Sequence, residues 1–205
     1  MELTLDVGFW KAKGMTYPDY IDLIDRLLVD GKTTGHDQSP ERLEKARLNR
    51  QRMKRLDKTY HPSARLAAAC SGLSKTLDML VLTEGWCGDA SQLVPLLHRL
   101  AAESGGRIRD TYLLRDEHPE LMDLFLTGSS RAIPKAVFVD AHSGRIVGTW
   151  GPRPSAISDR YAKAREDSTR SKAELHTLLH TWYAEDKGQA FEADMLQLLH
   201  GFAGG

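Results

Sequence analysis

The sequence predicts an α/β fold in which strands and helices alternate, and three patterns carry that prediction. Residues 79–83 are an apolar, partly β-branched run that is typical of a buried strand. Residues 90–100 place apolar side chains at helical spacing, which predicts an amphipathic helix directly after that strand. Residues 136–140 and 145–150 predict two further strands, joined by a hairpin turn at 141–144.

Further elements complete this core on its C-terminal side. Residues 108–114 predict a strand, and Pro119 opens a helix. Residues 152–154, Pro-Arg-Pro, start a long C-terminal helix, and residues 191–202 predict a last one. The core therefore has the order strand, helix, strand, helix, strand, strand, helix.

The N-terminal part of the chain predicts helices that are additional to this core. Thr16 and Ser39 are candidate N-caps of two helices, and residues 64–73 predict a short Ala-rich third. We therefore divide the chain into a helical extension, residues 1–74, and an α/β domain with C-terminal helices, residues 75–205. The extension is expected to pack on the core.

One helix of the extension, predicted over residues 39–60, carries a marked excess of positive charge. Its basic residues are Arg42, Lys45, Arg47, Arg50, Arg52, Lys54, Arg55 and Lys58. Binding of nucleic acid or another anion is one interpretation. The helix also has a modest apolar stripe, however, so we interpret the basic residues as its solvated face.

The overall composition excludes several classes of protein. Of 205 residues, 41% are hydrophobic and 27% are charged, as in an ordinary soluble globular protein. The formal net charge is zero, so no overall field draws the chain to nucleic acid or to an anionic membrane. The first residues lack the features of a signal peptide, and no apolar run reaches membrane-spanning length. Two cysteines do not make a disulfide framework, so we expect a reducing, cytoplasmic location.

Cys87 lies where a reactive thiol is expected, at the turn from the predicted strand into the helix. Unpaired N–H groups and the helix dipole favour a thiolate there. Asp89 and Glu84 bring negative charge that raises the thiol pKa, whereas Arg131 and Lys135 lower it if they point at the sulfur. The sequence leaves the sign of the net shift open. The alternative is a buried cysteine that serves as a small core residue.

The residues around Cys87 resemble a known active site. Residues 86–88, Trp-Cys-Gly, resemble the start of the thioredoxin motif Trp-Cys-Gly-Pro-Cys, and Pro95 matches the helix-kinking proline eight residues after the cysteine. Residues 133–134, Ile-Pro, resemble the cis-proline that opens the next strand and faces the thiol. Gly151 resembles the glycine beside the substrate groove.

The resemblance covers roughly residues 75–185 and implies both a fold and a site. The implied fold is thioredoxin-like, with a mixed sheet flanked by helices. The implied catalytic residue is Cys87. The alternative for Pro134 is an ordinary trans proline at the start of an edge strand. For Trp86 and Trp150 the alternative is packing in the core. The substrate groove that the resemblance implies is formed by Trp86, Gly88, Asp89, Ile133, Pro134, Trp150 and Gly151.

The sequence departs from thioredoxin at three positions. Ala90 stands where the second, resolving cysteine is found, and Asp89 replaces the active-site proline. Val81 replaces the buried acid that assists proton transfer in thioredoxins. The chain therefore resembles a bacterial branch of thioredoxin-like proteins that has a monothiol Trp-Cys-Gly-Asp motif and a downstream Leu-Leu-Arg-Asp-Glu segment, here residues 113–117.

Cys70 is not expected to replace the missing thiol. It precedes the predicted strand, whereas Cys87 follows it, and seven strand residues span roughly 20 Å. A disulfide requires Cα atoms within about 7 Å. We therefore interpret Cys70 as a core residue, so chemistry at Cys87 is monothiol and its mixed disulfide is resolved by glutathione or a partner thiol.

Three functions remain open at this point. The first is thiol–disulfide exchange or peroxide reduction through Cys87, with a protein thiol or disulfide or a small thiol as the partner. The second is a redox-inactive binding module that uses the groove around Cys87 and Pro134. The third, by analogy with monothiol glutaredoxins, is a dimer that holds an iron–sulfur cluster through Cys87 and glutathione. We predict no resident cofactor, no nucleic-acid partner and no membrane partner.

His176 and His180 lie four residues apart on the predicted C-terminal helix and share one face. Two imidazoles at that spacing can bind a metal, but no Glu follows His176 and no third ligand is evident. We therefore interpret them as surface histidines and predict no metal site.

Overall fold

A four-stranded mixed sheet forms the centre of the computed structural model, which describes residues 3–203. The strands are β1 (Leu77–Thr83), β2 (Ile108–Leu114), β3 (Lys135–Asp140) and β4 (Ile146–Trp150). They lie in the order β2-β1-β3-β4; β1 is parallel to β2 and antiparallel to β3, and β3 is antiparallel to β4. The predicted α/β fold, with a mixed sheet flanked by helices, is confirmed.

Helices cover both faces of the sheet and extend the chain at both ends. Within the described residues they are α1 (Val7–Lys13), α2 (Tyr17–Val29), α3 (Pro40–Thr59), α4 (Ala64–Ser71), α5 (Gly88–Ala102), α6 (Pro119–Met122), α7 (Ser155–Arg165), α8 (Lys172–Asp186) and α9 (Gln189–Ala203). No helix in this part of the chain has an apolar stretch long enough to cross a lipid bilayer.

The strand before the candidate site is the most enclosed part of the molecule. All seven residues of β1 are buried, because β1 has a strand on either side and helices on both faces. Leu80 and Leu82 are fully buried there, and each such leucine stabilises the fold by roughly 2 kcal/mol. The chain therefore leaves β1 from a rigid position and enters α5 at Gly88.

The predicted caps of the N-terminal helices are confirmed. Thr16 Oγ1 accepts a hydrogen bond from the backbone N–H of Asp19 at 3.3 Å, at the start of α2. Ser39 Oγ accepts one from the N–H of Arg42 at 3.4 Å, at the start of α3. Each hydroxyl satisfies one of the donors that have no partner within the helix, and this fixes where the helix begins.

The basic helix α3 packs its small apolar face against α5. Ala46 and Met53 are buried on that face, together with Asn49. The exposed side of α3 carries most of the basic residues, namely Lys45, Arg47, Lys54, Arg55 and Lys58. This arrangement is the one expected of a solvated basic face.

The C-terminal part differs from the single long helix that the sequence predicts after residue 154. It forms two helices, α7 and α8, separated by residues 166–171. Asp167 accepts hydrogen bonds from the N–H and the hydroxyl of Thr169, which favours a turn over a continuous helix. Ser171 and Glu174 then form a capping box that starts α8 anew.

Candidate functional site

Cys87 is the N-cap residue of α5 and is only 8% exposed. Its Sγ accepts a hydrogen bond from the backbone N–H of Ala90 at 3.5 Å and donates one to the carbonyl oxygen of Ile133 at 3.3 Å. The first contact favours a thiolate, and the second favours the protonated thiol. The sulfur therefore lies between a helix N-terminus and the residue before Pro134. Neither cysteine is in a disulfide, and Cys70 is fully buried on α4.

The environment of Cys87 raises the pKa of its thiol to about 12. Burial is the main cause, since a thiolate is poorly solvated there, and the charge of Asp89 adds to it. The N–H groups of Ala90 and Asp89 and the charge of Arg153 act in the opposite direction but are weaker. The sign that the sequence left open is thus positive: the enclosed Cys87 is held as a thiol.

The two cations that would lower the pKa of Cys87 if they pointed at its sulfur have other partners. Arg131 forms two 2.7 Å contacts with Asp123 on the surface. Lys135 Nζ donates to Thr127 Oγ1 at 2.8 Å and to a backbone carbonyl oxygen at 3.3 Å. A cation that does lower the pKa of the Cys87 thiol is Arg153, which the sequence analysis placed only at the start of a helix.

Pro134 follows a cis peptide bond and lies opposite Cys87. The chain passes close to it again at Gly151, whose φ is +113°. A Cβ on Gly151 would collide with the carbonyl oxygen of Pro134, so only glycine fits this approach. Residues 133, 134 and 151 are thus brought together beside the thiol.

Asp89 is buried at the start of α5 and binds two other segments of the chain. Arg153 forms a bidentate ion pair with it, with Nε 2.9 Å from Oδ1 and Nη2 2.7 Å from Oδ2. The hydroxyl of Tyr183, on α8, donates to Oδ1 at 2.8 Å. The residue that replaces the thioredoxin proline therefore connects α5 to the loop before α7 and to α8.

The two tryptophans of the predicted groove have different surroundings. Trp86 is half-buried, with the guanidinium of Arg42 4.1 Å from its ring and that of Arg115 at 4.8 Å. Trp150 is 8% exposed, and its Nε1 donates to Asp194 of α9 at 2.9 Å. Trp150 thus packs in the core, which was the alternative for it, and joins β4 to α9, whereas Trp86 stays at the site.

His176 and His180 lie over the N-terminus of α5, a position that the interpretation as ordinary surface histidines does not capture. A Cβ placed on Gly88 would be 3.0 Å from His180 Nε2 and 3.3 Å from His176 Nε2. His180 Nδ1 is 3.1 Å from the side-chain nitrogen of Gln92. Burial and the charge of Arg52 lower the pKa of His180 to about 3, so its ring is neutral at pH 7.

Glu84 is a buried acid near the site that the sequence analysis treated only as a nearby charge. It is fully buried, and its Oε1 accepts a hydrogen bond from the backbone N–H of Asp116 at 2.9 Å. Burial raises the pKa of its carboxyl group. A charged residue directly after the predominantly apolar run at 79–83 was the available signal.

Metal binding finds no support in the residues that the structure describes. Among them, no group of three or more His, Cys, Asp or Glu side chains is arranged to hold a metal ion. His176 and His180 form a pair, with their Nε2 atoms 3.2 Å apart.

A cysteine at a helix N-terminus that faces a cis-proline, on a sheet of this order, defines a thioredoxin-like protein. A thioredoxin family model matches residues 36–166, more than half of the chain. The chain therefore belongs to the thioredoxin family.

The solved structures that are similar to this chain agree with that fold. One is a 1.5 Å crystal structure of PA1234, a protein of unknown function from Pseudomonas aeruginosa, with 17% identity and a TM-score of 0.56 over 91% of this chain and 98% of that one. Another is a crystal structure of an HIV epitope scaffold, with 17% identity and a TM-score of 0.53 over 91% of this chain and 99% of that one. No curated protein matches the sequence. At this identity the likeness shows the fold alone.

Proposed function

We propose that this thioredoxin-family protein exchanges thiols and disulfides through Cys87 alone. The observation that carries the proposal is the position of the Cys87 sulfur, 3.5 Å from the N–H of Ala90 and 3.3 Å from the carbonyl oxygen of Ile133, next to the cis-proline. Donors at a helix N-terminus stabilise the negative charge that the attacking sulfur must carry. No second cysteine is near, because Cys70 lies on α4 at the other end of β1.

The reaction has two exchange steps. The Cys87 thiolate attacks one sulfur of a substrate disulfide, a mixed disulfide forms, and the other substrate sulfur leaves as a thiolate and takes up a proton. A second thiol, glutathione or a cysteine of a partner protein, then loses its proton and attacks the substrate sulfur of the mixed disulfide. Cys87 is released as a thiolate, and its electrons are restored by the incoming thiol. The reducing cytoplasm, which we propose as the location, supplies such a thiol.

Peroxide reduction by the same thiolate is a variant of this proposal. Attack on the O–O bond of hydrogen peroxide converts Cys87 to a sulfenic acid and releases hydroxide, which is protonated to water. One thiol then forms a mixed disulfide with loss of water, and a second thiol regenerates Cys87. The two variants differ in the first oxidised form of Cys87. It is a sulfenic acid in peroxide reduction and a mixed disulfide in thiol–disulfide exchange.

Turnover of a small disulfide with glutathione as the reductant tests the proposal. We expect the Cys87→Ser protein to lose the activity and the Cys70→Ser protein to keep it, because only Cys87 lies at the helix N-terminus. Intact-protein mass spectrometry of the wild type should show one glutathione adduct, located at Cys87. Equal loss of activity in both variants would contradict a monothiol mechanism at Cys87.

A redox-inactive binding module is the second candidate, and the raised pKa of Cys87, about 12, is the observation that favours it. A thiol that stays protonated attacks disulfides slowly, while the groove at Trp86 and Pro134 remains available. Titration of the Cys87→Ala protein with oxidised glutathione separates the two candidates. Undiminished binding by that variant, together with no turnover by the wild type, would favour the binding module.

A further inference from the structure

Helix α8 lies directly over the N-terminus of α5, where Cys87 is located. The side chains of His176 and His180 approach Gly88 so closely that a single added methyl group would lie 3.0 Å from one ring and 3.3 Å from the other. Tyr183, one turn further along α8, is buried at the same end of α5, where its hydroxyl donates to Asp89, two residues after Cys87. A helix that follows the sheet in sequence thus lies against the turn that carries the thiol.

Polar contacts hold α8 over this position. The hydroxyl of Tyr183 donates to Asp89 at 2.8 Å, and His180 pairs with Gln92 at 3.1 Å, so both contacts end on α5. The apolar side chains that α8 packs on the core are few: Leu175, Leu179 and Tyr183 are buried, and Trp182 is half-buried. A helix with so small an apolar interface can separate from its neighbour at lower cost than a core helix such as α5.

We propose that α8 is a reversible cover over Cys87, held closed by the hydrogen bond from Tyr183 to Asp89, and that substrates reach the thiol only when α8 moves away. This is regulation of the site given under Proposed function and rests on that proposal for its biological meaning. It also gives a role to Asp89, the residue found where thioredoxins have proline. Asp89 is thus a positioning residue, which acts on Cys87 through α8 in addition to the direct effect of its charge.

The closed and open forms differ in thiol chemistry as well as in access. With α8 in place, burial is the largest cause of the high pKa of Cys87. Moving α8 away restores water around the sulfur, while the N–H of Ala90 and the ion pair of Arg153 with Asp89 remain in place. The open form therefore has a more acidic and more accessible thiol, and the closed form protects it.

The rate of Cys87 alkylation by iodoacetamide at pH 8 tests the cover without any assumption about the natural substrate. Mass spectrometry scores Cys87 and Cys70 separately, so Cys70 reports general unfolding. We expect Tyr183→Phe to raise the Cys87 rate about 10-fold, as the loss of a hydrogen bond to a charged group predicts, with the Cys70 rate unchanged. Disulfide turnover is measured in the same samples, so an absence of turnover with a raised alkylation rate would refute the proposed function but not the cover.

Tyr17→Phe is the matched control. Tyr17 is 7% exposed, like Tyr183, and its hydroxyl donates to Asp57 of α3 at 2.7 Å rather than to a residue of α5. We expect it to leave the Cys87 rate within a factor of two of the wild type. An equal rise in the two variants, or a parallel rise at Cys70, would show general loosening and overturn the proposal.

His180→Ala supplies a second, independent opening of the cover, because it removes the contact with Gln92 and the ring above Gly88. The Cys87 rate should again rise. Hydrogen exchange should become faster in residues 172–186 while α5 remains protected. An unchanged Cys87 rate in both Tyr183→Phe and His180→Ala would overturn the proposal.

Discussion

Arg153 binds both carboxylate oxygens of Asp89, at 2.9 and 2.7 Å, and so places a full ion pair two residues from the candidate nucleophile. The side chain of Asp89 is 10% exposed and that of Arg153 is 23% exposed. Removal of one member of such a buried ion pair costs more stability than removal of one member of a surface pair. The charge that remains is buried, and water cannot solvate it well. Stability and thiol chemistry both depend on this pair.

Arg153→Met should lower the free energy of unfolding by about 3 kcal/mol, since it leaves the Asp89 carboxylate buried with only the Tyr183 hydroxyl as a side-chain partner. Urea denaturation, followed by circular dichroism, measures the change. Methionine keeps much of the length of the arginine chain, so the loss reports the charge rather than a large cavity.

Arg131→Met is the control for this substitution. Arg131 binds Asp123 with the same bidentate geometry, at 2.7 Å for both contacts, but each side chain is 50% exposed. We expect no measurable loss of stability there, since water solvates the partner that remains. Similar losses in the two variants would mean that burial of Asp89 does not govern the strength of its pair.

Asp89→Asn should lower the pKa of the Cys87 thiol by about one unit, because it removes the negative charge that opposes thiolate formation and leaves Arg153 in place. Asparagine retains an oxygen that can accept from the Tyr183 hydroxyl, so α8 keeps that contact. The midpoint of Cys87 alkylation against pH measures the shift.

Arg153→Met should move that midpoint in the opposite direction, because the cation that favours the thiolate is then absent. The alkylation midpoint of the wild type should therefore lie between those of Asp89→Asn and Arg153→Met. An unchanged midpoint in both would mean that burial alone sets the pKa of Cys87 and that the charges beside it have no influence.

The residues near Cys87 in sequence were easier to predict than those that reach it from elsewhere. The strand and the following helix follow from local patterns of apolar residues, whereas the position of residues 133–134 beside the thiol came from the resemblance to thioredoxin. Arg153 and Tyr183 meet Asp89 across 64 and 94 residues, and no local pattern specifies those contacts. The break between α7 and α8 falls at a cluster of turn-forming residues, 167–169, which the sequence analysis did not use.

The surroundings of the two tryptophans illustrate the same limit. Both lie next to motif residues, so the sequence treats them alike, yet Trp150 contacts α9, a helix whose packing the sequence leaves undetermined. Trp86 remains at the site because Arg42, from the N-terminal extension, stacks on it. Burial of a single side chain depends on tertiary contacts, and these are not encoded in its immediate neighbours.

Glu84→Gln should stabilise the protein increasingly as the pH rises above about 4.5. Burial raises the pKa of Glu84, so the native state holds its proton more tightly than the unfolded chain does. As the pH rises through the unfolded value, near 4.5, the unfolded chain ionises first, and the free energy of unfolding of the wild type falls until the native carboxyl group also ionises. Glutamine cannot ionise, and its oxygen can still accept from the N–H of Asp116, so the variant escapes this loss.

The measurement is the difference in free energy of unfolding between Glu84→Gln and the wild type, taken by urea denaturation from pH 4 to pH 8. The difference should grow by about 1.4 kcal/mol for each unit by which the native pKa exceeds the unfolded one, and then level off. If the difference stays constant over this range, the pKa of Glu84 is the same in the native and unfolded states. Burial would then not raise the pKa of this carboxyl group. If it grows, Glu84 is a neutral carboxyl group in the native state at low pH, and its ionisation destabilises the fold because a charge is then buried.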